Sequence, residues 1–223
     1  MMYRLLLGSC SALLFVLLLC TCDRAAKNDA TTVVAGTIRY QQDNQLLEAS
    51  LRLLPIDTTA SATYPTLFGT VMAPAPLIGP DRFRTRRTVA FPNTFRLTVP
   101  CSAGPNCPLD YQFTPPFSDS IPPSLTIGQS AQFPIANTGL AANESLVIFF
   151  EPTDRSAPKR IQLLGPTSTG TLTLRKEVFS DIPAGEYEVY LVKQQLQKDS
   201  SASIIASFQT EYFTKAMPLK IME

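Results

Sequence analysis

The chain has 223 residues, with 19 Lys and Arg against 18 Asp and Glu, and it contains no His and no Trp. That length supports one large or two ordinary domains with real cores, and the near-neutral balance argues against general polyanion binding, nucleic acid included. The lack of His removes Ser-His and Cys-His triads and most zinc catalysis. Pro and Thr are frequent, and no segment sustains a 3.6-residue apolar period, so the bias is toward an all-β protein.

In chain order, the opening "MMYRLLLGSCSALLFVLLLCTCDR" places Arg4 before an uncharged stretch from Leu5 to Cys22, followed by a polar turn at Asp23 and Arg24. This reads as an export signal; the same stretch is just long enough for a marginal transmembrane helix. The cysteines at its end favour the signal. They resemble the lipobox of bacterial lipoproteins, in which a Leu, two small residues and a Cys close the signal and the Cys becomes the acylated first mature residue. Cys10, preceded by "LGS", follows too few apolar residues. Cys22, with Leu19 at the third position back, is the expected lipidation site, and Cys20 is the second choice because bulky Leu19 stands directly before it. More than one acyl chain gives firm anchoring where a single chain does not. Residues 23–31 read as a flexible tether.

Six β-type runs follow: Thr32–Gln41, Leu47–Ile56, Leu67–Ala73, Arg82–Phe91, Phe95–Cys101 and Asp110–Phe117. "QQDNQ" between the first two has hairpin chemistry. Within the fourth run, Arg82, Arg84 and Arg86 project from one face of a strand and Phe83 and Thr85 from the other, with Arg87 and Arg96 close in sequence. Such a row suits an acidic polysaccharide, lipid head groups or a protein partner; the plainer reading is a solvated sheet face or a charged edge that discourages strand-to-strand aggregation. Cys101 and Cys107 flank a turn containing Gly104 and Pro105. With Cys10 and Cys20 removed and Cys22 acylated they are the remaining thiols of an exported chain. They are expected to form a disulfide, closing a small ring for roughly 2 kcal/mol. A redox pair is more often Cys-x-x-Cys, and a metal site lacks partners. The first module is thus expected over residues 32–117. Two Pro pairs in "TPPFSDSIPPS" mark a linker at 118–124.

Residues 125–223 are more regular, with about eight short runs from "SLTIG" to "MPLKIM" in the spacing of a β-sandwich. "SAPK" (Ser156 to Lys159) fits a Ser-x-x-Lys pattern, but Pro158 opposes the helix that pattern needs. "GPTSTGT" (Gly165 to Thr171) has phosphate-loop glycine spacing with Thr171 in place of the Lys, so it reads as a turn. In "SDIPAGEYEVYLVK", Ile182, Gly185, Tyr187 and Val189 stand where immunoglobulin-like sandwiches place the tyrosine corner. The resemblance implies that the Tyr187 hydroxyl ties the corner to the backbone. In layout the whole chain is similar to tandem-sandwich lipoproteins of the Bacteroidota, a resemblance that carries no assigned activity.

The expected architecture is therefore all-β: two consecutive β-sandwich domains, the C-terminal one immunoglobulin-like, after a lipoprotein signal peptide and tether. Asp110, Asp119, Glu151 and Asp154 are scattered, and nothing in the spacing pairs them for glycosidase work. Tyr64, Tyr111, Tyr190 and Tyr212 are expected on the surface. "DTT" (Asp57 to Thr59) and "DSI" (Asp119 to Ile121) resemble the short O-glycan acceptor motif of Bacteroidota. The expected function is that of a non-catalytic cell-envelope protein, exported and lipid-anchored to the outer membrane on its periplasmic or outer side. It uses no cofactor and no metal, and contacts an envelope protein or acidic polysaccharide through Arg82, Arg84 and Arg86. The alternatives are a glycan- or polymer-binding accessory of an uptake system, and a hydrolase whose carboxylates meet only in the fold.

Overall fold

The computed structural model describes residues 31–54, 64–101, 104–117 and 119–223. The expected signal, Cys20, Cys22, nearly all of the tether and the Asp57–Thr59 motif lie outside the described residues. Among the described residues there are sixteen strands and one helical turn, Lys176–Phe179, which precedes the tyrosine corner.

β1 (Thr32–Gln41) and β2 (Leu46–Leu54) form the expected hairpin, with Gln45 at φ 52° and the Asn44 Oδ1 accepting from the Leu46 N–H at 3.2 Å. The run 67–73 does not form one strand. Phe68 (φ 52°) and Gly69 (φ 74°) reverse the chain, so β3 (Thr66–Leu67) pairs back on β4 (Thr70–Val71), and β5 (Ala73–Pro74) crosses to β6 (Arg82–Thr88). β7 (Thr94–Cys101) pairs with β8 (Gly104–Gln112), which starts earlier than expected and stops before Pro115 and Pro116, whose rings cannot donate to a ladder.

The first core lies between β1, β2 and β6 on one side and β3, β7 and β8 on the other. Val34, Ile38, Leu47, Leu51 and Phe83 face Leu67, Phe95, Leu97, Val99 and Leu109. Alternation dictates this: odd positions of β1 are the wet ones, and Val34, Ile38 and Tyr40 are buried.

The second core is built by β9 (Ser124–Thr126), β10 (Ala131–Pro134), β11 (Glu144–Pro152), β12 (Lys159–Leu164), β13 (Thr171–Leu174), the first half of β14 (Gly185–Ser200) and β16 (Met217–Met222). Its sheets are β9-β16-β14-β11-β12 and β10-β13, with β9 parallel to β16 and the other pairs antiparallel. A central β11-β14-β16 unit facing β10-β13 is the C-F-G unit facing B and E of an immunoglobulin-like sandwich. The protein is thus all-β, with an immunoglobulin-like C-terminal sandwich.

The sandwiches do not divide at one point in sequence, as the expected boundary at 118–124 implied. β14 continues past the second core, turns at Ser201–Ser203, and returns as β15 (Ile204–Phe213), which pairs in parallel with all of β1. Ile204, Ala206, Phe208 and Tyr212 of this hairpin complete the first core. One ten-stranded sheet therefore backs both cores.

Candidate interaction face

The arginine run forms β6 with the expected alternation: Phe83 is buried, and Arg84 and Arg86 are exposed on the outer face. Residues in register across a sheet share a face, so Arg86 stands beside Glu48, Glu48 beside Arg39, and Arg39 beside Glu211. The Arg86 Nε lies 3.1 Å from Glu48 Oε1, and Arg39 donates from Nε (2.9 Å) and Nη2 (2.8 Å) to Glu211 Oε2. Gln194 and Gln209 donate to the other Glu211 oxygen, and the Arg39 guanidinium lies 5.2 Å from the centre of the Phe213 ring. One row down, Arg84 stands beside Ser50, which is beside Thr37. Thr37, Arg39, Glu48, Ser50, Arg84 and Arg86 line a shallow depression of about 520 Å³. Three guanidiniums meet one carboxylate in this lining, and among the described residues Arg84 makes no salt bridge.

The third arginine is placed differently. Arg82 is half-buried in the row below, beside Arg52, whose Nε donates to Asp81 and holds that carboxyl below its usual range. Arg87 turns to the opposite face, over the Phe68 ring at 4.8 Å with Nη1 donating to Thr70 at 3.1 Å, and covers the open edge of the first core. Arg96 belongs to the other sheet and makes a bidentate pair with Asp110 (2.8 and 2.9 Å), whose carboxyl is lowered chiefly by those hydrogen bonds. Sequence reading found the β6 arginines but missed Thr37, Arg39, Glu48 and Ser50. The "QQDNQ" hairpin carried the signal for Arg39 opposite Glu48; nothing local placed Glu211 beside them.

Elsewhere the structure sorts the remaining expectations. Cys101 and Cys107 form a disulfide with Cα atoms 6.1 Å apart, at the end of the β7-β8 hairpin away from Phe113. The Tyr187 hydroxyl donates to the Pro183 carbonyl at 2.8 Å, the corner tie that the resemblance implied. "SAPK" is not helical: the Ser156 N–H caps onto Asp154 Oδ1 at 2.8 Å and Lys159 opens β12. Of Gly165–Thr171, residues 165–170 connect β12 to β13 and Thr171 opens β13. Asp110, Glu151 and Asp154 each serve a different partner: Arg96, the Tyr190 hydroxyl and the Ser156 N–H. The Ser120 hydroxyl of "DSI" donates to the Pro134 carbonyl. Tyr64 is exposed and Tyr190 partly so, but Tyr111 and Tyr212 are buried, correcting the expectation that all four lie on the surface. Both face the first core, where Tyr111 meets Phe208 and Tyr212 stacks on Tyr40.

No family model and no curated protein matches this chain. Among solved structures it is similar to the FN1–FN3 domains of chicken CNTN1, at 13% identity and a TM-score of 0.29, over 86% of this chain and 67% of that one. The assignment of fold rests on the strand order and the tyrosine corner of this chain itself.

Proposed function

We propose that the protein is an exported, lipid-anchored and non-catalytic interaction module, acylated at Cys22, that engages an envelope partner or acidic polymer through the outer face of its first sandwich. The observation that carries the reading is the depression in that face, where Arg84 has no salt bridge among the described residues and stands one row from Arg39 and Arg86, each of which is paired to a glutamate. A guanidinium held on a strand, with its fork free, is suited to carboxylate or sulfate groups. The strand platform fixes the spacing of the three arginines at no cost in ordering the backbone.

The test is binding of polygalacturonate, dextran sulfate and neutral dextran to the wild type and to Arg84→Ala/Arg86→Ala. Binding of the two anionic polymers alone, weakened at least tenfold in the variant with its Tm held, supports polymer capture through this face. Equal affinity of variant and wild type removes the face from the reading. If neither anionic polymer binds, the polymer partner is excluded and the envelope protein remains, to be sought by crosslinking from Ser50→Cys.

A further inference from the structure

The geometry points to a second surface, a membrane seat at the end of the first sandwich where the chain enters β1. Three neighbouring strands expose apolar side chains there in one row: Ile205 is 48% exposed, Val33 40% and Leu54 39%, with Val33 paired to both of the others. Beside them the β5-β6 turn presents Leu77, fully exposed, and Ile78. This turn is closed by backbone hydrogen bonds from Ala75 to Arg82 (2.8 Å), Ile78 to Ala75 (2.9 Å) and Arg82 to Gly79 (3.2 Å). A further bond from the Leu53 N–H to the Asp81 carbonyl (3.0 Å) ties it to β2. Pro76 and Pro80 flank its tip, so the two apolar side chains are held outward by a built turn.

The next row inward is cationic. Lys198, Arg52 and Arg82 stand in register on the outer face, against Asp81, which pairs with Arg52, and Asp199 on the neighbouring position of β14. An apolar tip with a basic collar is the arrangement that seats in the boundary between acyl chains and anionic head groups. The path of the chain selects a lipid surface over other occupants. Thr32 opens β1 in register with Ile204, next to the apolar row, and the ten residues from Cys22 to Thr32 span at most about 35 Å. This step rests on the reading of Cys22 as the acylated residue; the surface itself is read from the strands.

A chain beginning at Asp23 contains every residue of both cores, so the seat is testable without the anchor. Because the sequence has no Trp, Leu77→Trp supplies a sole reporter. Vesicles of phosphatidylglycerol and phosphatidylethanolamine are expected to shift its emission to the blue, with quenching by brominated acyl chains, and to do so more strongly than phosphatidylcholine. Leu164→Trp, on the edge strand of the second sandwich, is expected to show no shift. Leu77→Asp/Ile78→Asp should lower vesicle co-sedimentation at least tenfold with Tm unchanged. An emission indifferent to vesicles overturns the seat, and so does a blue shift that follows protein concentration without lipid, which would mark the tip as a contact between copies. Mass spectrometry of the native protein tests the Cys22 reading separately. An unmodified Cys22 would sink the anchor without altering the vesicle result.

Discussion

Gly36 shows how tightly the first core closes. A Cβ there would stand 2.5 Å from the Ser50 carbonyl oxygen, 2.6 Å from Leu51 Cδ2 and 3.2 Å from Phe208, so β2 and the returning hairpin meet across this residue because it has no side chain. Gly36→Ala is expected to cost about 1–3 kcal/mol by overpacking, whereas Ala35→Ser, on the wet face, should stay within about 0.5 kcal/mol. Urea unfolding of the two variants checks the contrast. The buried phenols make a second prediction. Burial, then Tyr40, pushes Tyr212 up to about 12; burial, then Glu151, does the same for the partly exposed Tyr190. Burial, then Asp199, raises Tyr111 as well. Below the unfolded value of about 10 these groups are protonated in both states and their contribution is complete. As pH rises toward about 12 the unfolded chain ionises first, and stability falls. Tm should therefore drop between about pH 10 and about pH 12, with tyrosinate absorbance rising together with unfolding, and Tyr212→Phe should make the drop shallower.

At the scale of the elements, β14 joins the two sandwiches and shows what the sequence could and could not reveal. Tyr187, Val189 and Leu191 alternate inward, which is why this strand and its corner were legible. Beyond them the same face carries Lys193, Gln195, Gln197 and Asp199, a polar run with no apolar period to mark a strand of sixteen residues. Its partner β15 and the parallel pairing to β1 come from far along the chain, and such pairing leaves no local signature. The break after Phe68 was equally hidden, because Phe at positive φ is not a pattern that a run of apolar residues announces. Where the polar run begins, the Lys193 side chain is buried. Its Nζ donates to Glu144 Oε1 (2.8 Å) and the Thr114 carbonyl (3.0 Å) and lies 5.3 Å from the Phe113 ring centre. It thereby joins β11, the segment leaving the first sandwich, and the first core. Lys193→Met should cost about 3–5 kcal/mol because it leaves Glu144 buried without its counter-charge. Lys193→Met/Glu144→Gln should recover more than half of that loss, and chemical denaturation of the single and double variants measures it.

For the molecule as a whole, the shared hairpin decides how it unfolds. A string of independent sandwiches would lose them one at a time, each with its own midpoint. Here the first core takes Ile204, Ala206, Phe208 and Tyr212 from a strand whose hairpin partner also runs through the second core, so loosening the second sandwich withdraws side chains from the first. The coupling also runs the other way, because β15 without β1 would expose an unpaired edge and the inward row of Phe208. Calorimetry of the intact chain should show one transition with a calorimetric to van't Hoff enthalpy ratio near one, and residues 23–117 expressed alone should lack the cooperative transition. Two separable transitions, or a folded 23–117 fragment, would mean that the hairpin rests on the first sandwich without stabilising it. A single transition has a consequence for the proposed role: a pull on a partner held at the arginine face is then resisted by both cores, because β1, which carries Arg39, is paired along its length to β15.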